Sequence, residues 1–311
     1  MKIRRYNQND IKEVFRLWKS TIGAKWPIEF PFFFSIIEEQ FENTIHYVAE
    51  TNQGIIGFIA SRYGNLNLVK PRASIFLLLV ESTEQKKGIG KQLLEIVVDE
   101  LKLKNIYDIQ LGAGAGSYFW PGVPENLPGA ISFFQSCGWN FSETSVDLVA
   151  DLEKFVIPKG IKHNKEILIT HPKENDISKL LKFEKENFPN WYIYFQFSID
   201  KKDYENILIA QDQSGNIIGS ALIHGPYKSK CKSEFKWKTL LGNTMGGFGV
   251  IGVHEKFRRQ GIGMSIAIKA SLLLKSRGVL NSYLGWTWLV DWYGKLGYEI
   301  WRSYKMSWKK L

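Results

Sequence analysis

The chain has 311 residues, 44% of them hydrophobic, and carries a formal net charge of +10 with a pI near 9.3. This length suits two globular domains, and the basic charge favours an anionic partner: a phosphorylated cofactor, nucleic acid or a membrane surface. Two cysteines without a CxxC pair and five scattered histidines exclude the usual metal-ligand spacings. With no apolar run long enough for a signal peptide or a membrane span, we expect a metal-free cytoplasmic protein.

The first half begins with a predicted strand, a polar helix and a hairpin that turns at Asn52–Gly54. The apolar run SIFLLLV predicts a buried strand ending at Val80, and EQKKGIGKQLL follows it at Glu84–Leu94. Apolar residues at helical spacing then predict a helix, namely Ile89, Leu93, Leu94, Val97, Val98 and Leu101. The segments IYDIQLGA and ISFFQSCGWNF complete the half.

A polar, basic stretch at Lys154–Glu166 predicts the linker between two domains, 1–155 and 165–311. The second half repeats the order of the first, with a hairpin turn at Ser214–Asn216 and a strand ending at Val253. FRRQGIGMSIA then opens a second apolar helix, followed by LNSYLGW and VDWYGKLGYEI. Each half therefore predicts the element order β-α-β-β-β-α-β-α-β, an α/β (α+β) fold with a mixed sheet.

The repeat is offset by 173 positions between Gln85 and Arg258. Downstream, 49 residues separate Gln85 from Phe134, whereas 35 separate Arg258 from Tyr293. The difference of 14 residues equals the length of the Pro/Gly-rich stretch at 117–130, which we interpret as an insertion in the first half. That stretch is either a packed surface loop or a wall of a substrate pocket.

A strand that runs into Gly-x-Gly at the start of a helix predicts an anion site. The first helical turn presents unpaired N–H groups and the positive end of the helix dipole, and glycine lets phosphate oxygens approach the backbone. The two motifs lack the Gly-Lys-Ser/Thr of a Walker A loop and the third glycine of the dinucleotide fingerprint. Their repetition in one strand–turn–helix context strengthens the prediction.

Gln85-Lys-Lys-Gly-Ile-Gly90 and Arg258-Arg-Gln-Gly-Ile-Gly263 resemble the acetyl-CoA pyrophosphate loop of GNAT-superfamily N-acetyltransferases. The resemblance covers nearly the whole chain, as two GNAT domains in tandem, and FEKENFPNW at Phe183–Trp191 is similar to a segment of one tandem group. It implies acetyl-CoA as co-substrate and the following contact residues: Val80, Gln85, Lys86, Lys87, Gly88, Ile89, Gly90 and Lys91 in the first half, and Val253, Arg258, Arg259, Gln260, Gly261, Ile262, Gly263 and Met264 in the second.

The resemblance further implies direct attack of an amine on the thioester, with the oxyanion stabilised at the strand ends Val80 and Val253. It implies that Tyr293 protonates the departing thiolate, because a phenol is still an acid at neutral pH. Phe134 stands at the matching position of the first half and carries no such proton, although Tyr118 in the insertion could replace it. We therefore expect the second domain to be catalytic and the first to be degenerate.

Several alternatives stay open at this stage. Either domain could bind acyl-CoA without catalysis, and Tyr293 could be a core aromatic residue. The lysines and aromatics of Tyr227–Lys238 could touch nucleic acid, although a small-molecule amine is the partner we expect. The acceptor amine and the oligomeric state cannot be read. The candidates for a general base share only their position near the fourth strand or the last helix: Glu81, His254, Glu255 and Asp291.

Overall fold

The computed structural model describes residues 1–38, 43–64, 71–113, 118–164, 166–226, 230 and 235–311. The chain divides into two compact units, the first formed by Met1–Ser145 with Arg302–Leu311 and the second by Val146–Trp301. This division differs from the predicted ranges 1–155 and 165–311 at two segments. The second unit contains Val146–Asp151 because this strand of the first repeat pairs with residues 281–287 of the second. The first unit contains the C-terminal strand because that strand pairs with residues 108–110 of the first repeat.

The first unit is built on a sheet of order β1-β2-β3-β4-β5-β14 in which only β4 and β5 are parallel. Its strands are β1 (Lys2–Arg5), β2 (Asn43–Thr51), β3 (Gly54–Gly64), β4 (Arg72–Val80), β5 (Asp108–Leu111) and β14 (Trp308–Lys310). A short strand, β6 (Val123–Pro124), pairs with Tyr304 and Lys305 of β13 (Glu299–Met306). Its helices are α1 (Ile11–Thr21), α2 (Phe30–Glu38), α3 (Ile89–Leu103) and α4 (Pro128–Ser136).

The second unit repeats this plan, with strands in the order β7-β12-β11-β10-β9-β8 and β11 parallel to β12. Its strands are β7 (Glu143–Asp151, from Val146 onward), β8 (Leu168–Thr170), β9 (Ile207–Gln211), β10 (Ile217–His224), β11 (Gly246–Val253) and β12 (Asn281–Thr287). Its helices are α5 (Ile177–Asn187), α6 (Tyr192–Asp200), α7 (Lys238–Leu241), α8 (Ile262–Ser276) and α9 (Val290–Gly294).

Each sheet of the two units is covered on both faces. In the second unit the apolar side of α8 packs with Phe248, Leu284 and Tyr298 into one core, while α5 and α6 cover the opposite face. In the first unit α3 packs in the same way on Ile45, Ile59 and Ile109. Burial of these apolar faces supplies the main stabilisation of both units.

The central parallel pair of each sheet is short. Parallel pairing joins Arg72–Ile75 to Asp108–Leu111 in the first unit, and Gly246–Gly247 to Ser282–Tyr283 in the second. The register of β10 against β11 shifts between Ser220 and Leu222, and Val250 lies there at a positive φ of 47°. Such a bulge leaves backbone groups unpaired and redirects the strand end. On its other side, β11 pairs with β12 only at Gly246 and Gly247, so the C-terminal part of β11 has no parallel partner among the described residues.

The predicted mixed α/β fold is confirmed, and each half contains the predicted order of elements with short additions. The predicted turns at Asn52–Gly54 and Ser214–Asn216 are both observed. Most of the basic stretch at 227–238 and the first residue of the insertion, Ser117, lie outside the described residues. Of the aromatic residues in that stretch, Phe235 and Trp237 are buried. Over the part of the chain described, no helix has the length and apolar character needed to cross a membrane.

Candidate active site

The two glycine turns have the same backbone conformation. Gly88 and Gly261 each precede the first helical residue, with φ values of 85° and 82°. Lys86 and Arg259, two residues earlier, also have positive φ values, 62° and 63°. Because left-handed backbone costs side chains that carry a Cβ about 1–2 kcal/mol, glycine is the residue expected at 88 and 261. Both turns leave the first N–H groups of α3 and α8 without helical partners.

The first residue of each motif fixes its turn to the preceding strand. Gln85 Nε2 donates a hydrogen bond to the Val80 carbonyl, and Arg258 Nε donates one to the Val253 carbonyl, each at 3.0 Å. Both side chains were predicted to contact the cofactor, and in the structure they hold the turn in place. Arg258 keeps its terminal guanidinium nitrogens for a ligand, whereas the Gln85 amide has no charge to offer.

The second glycine of each motif permits a close approach of the late helix. A Cβ on Gly90 would lie 3.3 Å from the ring of Phe133, and one on Gly263 would lie 3.6 Å from the ring of Trp292. Phe133 and Trp292 therefore occupy corresponding places, and so do the next residues, Phe134 and Tyr293. The structure thus supports the alignment of the two halves across the insertion.

The charges around the two turns differ. In the first unit, Lys87 pairs with Glu84 at 3.0 Å and Lys91 with Glu95 at 3.9 Å. In the second unit, the turn opens onto a cavity of about 720 Å³ whose lining includes five cationic residues and no acidic one. The five are Lys159, Lys162, Arg258, Arg259 and Lys295. None of them takes part in an ion pair within the described ranges.

The linker forms one wall of this cavity. The backbone N–H of Asn164 donates to Ser265 Oγ at 2.8 Å, and Ser265 Oγ donates to the Asn164 carbonyl at 2.7 Å. A Cβ on Gly261 would lie 2.9 Å from His163 Cα, so the linker backbone also requires glycine there. The sequence identified this stretch only as a domain boundary. A cation-lined cavity at the start of a helix fits the phosphate groups of a CoA thioester.

Trp292 on α9 is part of the cavity lining, and the ring of the next residue, Tyr293, packs against it. The Tyr293 ring is buried, with ring centroids 4.6 Å from Trp292 and 6.0 Å from Tyr298. Burial raises the pKa of the Tyr293 phenol well above its usual range, so it remains protonated at neutral pH. In the first unit Phe134 is buried among Phe133 and Trp139 at the corresponding place.

The structure adds one acidic group that the sequence reasoning missed. Glu184 on α5 is fully buried and accepts a hydrogen bond from the Ser220 hydroxyl, while its Oε2 has no hydrogen-bond partner among the described residues. Loss of water around the carboxyl is the main cause that raises the pKa of Glu184 to about 8, and the bond from Ser220 opposes it. Ser220 pairs across the sheet with Gly252, next to the strand end at Val253.

The four base candidates from the sequence have other roles or lie at the surface. Glu81 accepts hydrogen bonds from Arg16 at 3.1 Å and Ser20 at 3.2 Å. His254 Nδ1 accepts one from the Lys256 backbone N–H and so caps the following turn. Glu255 and Asp291 are exposed. Glu184 lies four residues after Leu180 and seven after Ile177, on the apolar side of α5, and this helical spacing was the available signal for its burial.

The place of Glu184 and Ser220 is apolar in the first unit. Trp18 is the eighth residue of α1, as Glu184 is of α5, and Phe58 pairs with Leu79 one residue before Val80. Both aromatic side chains are fully buried. The insertion supplies Trp120, which stacks on Trp18 at 5.3 Å, and Phe119 at 4.6 Å. This face of the first sheet is therefore a packed aromatic core.

Two comparisons with known proteins agree with this geometry. Residues 42–140 match the family model for an acetyltransferase (GNAT) domain. A solved fungal multi-domain GH3 beta-N-acetylglucosaminidase, described as having a GCN5-related glucosamine N-acetyltransferase region, is 29% identical with a TM-score of 0.92. That alignment covers 99% of this chain and 38% of the fungal one, so the chain spans well under half of that relative.

Two further structures share the fold along nearly the whole chain. A GCN5-related N-acetyltransferase from Sphaerobacter thermophilus is 14% identical with a TM-score of 0.73, covering 99% of this chain and 95% of that one. A tandem GNAT protein from the clavulanic acid biosynthesis pathway is 12% identical with a TM-score of 0.69, covering 99% and 98%. No curated protein sequence matches.

Proposed function

We propose that this chain, a tandem GNAT-superfamily protein, is an N-acetyltransferase that transfers the acetyl group of acetyl-CoA directly to a small primary amine, and that the second unit performs the transfer. The observation that carries the proposal is the cation-lined cavity at the start of α8 with Tyr293 directly behind its Trp292 wall. The fungal relative and the family model support the same class of reaction.

The residues of the second unit divide the task among them. The N–H groups of the Gly261–Gly263 turn, together with Arg258 and Arg259, would hold the phosphates, and the unpaired part of β11 would offer backbone groups to the rest of the cofactor. Bound acetyl-CoA supplies an activated carbonyl carbon and a thiolate leaving group. Tyr293 Oη holds the proton that the leaving sulfur requires.

Glu184 is the group we assign to the acceptor. A protonated amine is not a nucleophile, so it must lose a proton before it attacks. The Glu184 carboxyl lies on the α5 face of the sheet. Its partner Ser220 pairs with Gly252, the residue before Val253 at the end of β11, and Glu184 Oε2 has no partner among the described residues. A pKa near 8 suits exchange of a proton with an amine near neutral pH. In this structure the ring of Phe188 covers the adjacent Gly252.

The first unit keeps the turn, and the described residues at the places of Tyr293, Glu184 and Ser220 are aromatic and apolar. Phe134 has no proton to donate, and Trp18 and Phe58 replace Glu184 and Ser220. The Lys87 and Lys91 charges are balanced by Glu84 and Glu95. These features support a non-catalytic role, in which the unit stabilises the chain or binds an acyl-CoA. A regulatory or acyl-CoA-binding chain without turnover is the alternative function.

An amino sugar is the acceptor to test first, because the fungal relative is described as having a glucosamine N-acetyltransferase region. The second unit has exposed indole surface at Trp288, whose ring centroid lies 6.3 Å from that of Trp286, and such rings stack on sugars. The test is thiol release from acetyl-CoA with glucosamine, other amino sugars, polyamines, amino acids and peptides. We expect turnover with at least one amine and its loss in Tyr293→Phe. Calorimetric binding of acetyl-CoA without turnover on any amine would favour the alternative.

A further inference from the structure

We infer that the linker between the two repeats is part of the CoA site, and that Lys159 and Lys162 bind the phosphate groups at the nucleotide end of CoA. This inference rests on the proposed function. It assigns a ligand role to a segment that lies between the two repeats and outside both glycine motifs. The linker belongs to the second unit, which it helps to build.

The linker is fixed to α8 at both ends. Lys275, near the C-terminal end of α8, donates hydrogen bonds of 2.8 Å to the carbonyls of Glu153 and Phe155, and the Phe155 ring is buried in the core of the second unit. At the other end, the backbone of Asn164 makes two hydrogen bonds with Ser265. Lys275 lies ten positions after Ser265, which corresponds to about 15 Å along the helix. The linker therefore runs antiparallel to α8 toward its first turn.

This path brings the two lysines to the glycine turn. Lys159 and Lys162 line the same cavity as Arg258, Arg259 and Lys295. Ile161, between them, packs against the core and holds this part of the linker in place. Five like charges around one cavity repel one another unless an anion lies between them. A diphosphate with a further phosphate group carries negative charge that offsets most of this set.

The first unit offers a natural contrast at its glycine turn. Among the described residues, a Cβ on Gly88 would meet only the flexible Gln92 side chain, at 3.7 Å, whereas one on Gly261 would meet the backbone of His163 at 2.9 Å. The close approach of a linker backbone is thus observed at the turn of the second unit.

The test is the calorimetric affinity of the full chain for CoA, for 3′-dephospho-CoA and for acetyl-pantetheine, which has no phosphate. Lys159→Ala/Lys162→Ala should weaken CoA binding roughly tenfold, with a smaller loss at high salt, and leave acetyl-pantetheine unaffected. A control double variant, Lys102→Ala/Lys182→Ala, removes the same charge from residues paired with Asp99 and Glu186, outside both the linker and the cavity. It should bind CoA as the wild type does.

A second measurement separates ligand contact from support of the fold. Bound CoA should protect the linker from limited proteolysis in the wild type, and less so in the double variant, while both melt at the same temperature. Wild-type affinity for CoA in the double variant, or tighter binding, would overturn the linker assignment alone. Failure of the wild type to bind CoA at all would overturn the assignment and the proposed function together.

Discussion

The glycine turns of the two units share a backbone conformation and differ in the charges around it. The φ values at Gly88 and Gly261 agree within 3°, and each motif donates one side-chain hydrogen bond to its strand end. Around Gly88, Lys87 and Lys91 are paired with glutamates, and around Gly261 the cations face a cavity. A duplicated backbone can thus persist after the charges that give it a function have changed, and we assign activity from the side chains.

The α5 face of the second sheet and the α1 face of the first sheet also differ in polarity. The second unit buries a carboxyl and a hydroxyl where the first buries Trp18 and Phe58. A buried carboxyl with an unpaired oxygen destabilises the fold, whereas the aromatic core of the first unit stabilises it. The role proposed for Glu184 would explain this cost of the second unit. The family model matches residues 42–140, in the first unit, so the match does not depend on a tyrosine at Phe134 or a serine at Phe58.

The largest expected effect concerns the proton donor. Tyr293→Phe should lower kcat roughly 10²- to 10⁴-fold and leave KM for acetyl-CoA nearly unchanged, because the ring still packs and only the proton is lost. Because burial raises the pKa of the Tyr293 phenol well above its usual range, its loss should leave the shape of the rate profile below about pH 10 unchanged. The matched change Phe134→Tyr should add no activity. A Tyr293→Phe enzyme within about threefold of the wild type would show that another group is the acid.

The next effect is on stability and concerns Glu184. Its pKa is raised to about 8 in the folded chain from an ordinary 4.5, so below pH 4.5 both states hold the proton and there is no penalty. As pH rises from 4.5 to 8 the unfolded chain loses this proton first, and the folded state is destabilised. Glu184→Gln should therefore exceed the wild type in unfolding free energy by roughly 2–4 kcal/mol at pH 8, and by much less at pH 5.

The measurement is urea unfolding of both proteins between pH 5 and pH 8. The Ser220 hydroxyl donates a hydrogen bond to Glu184, and the phenols of Tyr194 and Tyr204 pack on the apolar cluster of the same face. A difference that does not change with pH would contradict the raised pKa. Activity should fall in Glu184→Gln even though stability rises, which a purely structural glutamate would not produce.

A smaller effect compares the charges of the two turns. Arg258→Ala/Arg259→Ala should raise KM for acetyl-CoA about tenfold, because both side chains line the cavity of the second unit. Lys86→Ala/Lys87→Ala should change KM less than twofold, since Lys87 is already paired with Glu84 at an exposed site. Equal effects of the two double variants would mean that both turns bind the cofactor.

Local pattern was enough to predict the fold, because strand alternation, helical spacing and turn residues act over a few positions. The glycine turns and the match of Tyr293 with Phe134 were predictable for the same reason. Glu184 was not, because its pKa depends on burial and on Ser220, 36 positions away. The exchange of edge strands and the path of the linker over α8 also depend on contacts between distant segments. Polar linkers look alike in sequence whether or not they border a site.

The central claim is that only the second unit catalyses, and disabling one turn at a time tests it most directly. Gly88→Val and Gly261→Val each put a branched side chain at a left-handed residue, so both disturb their own turn. The measurement is steady-state thiol release by each variant, with circular dichroism to check folding. We expect Gly88→Val to retain most of the wild-type turnover and Gly261→Val to lose it. Loss of turnover in a folded Gly88→Val chain, with activity kept in Gly261→Val, would contradict the claim.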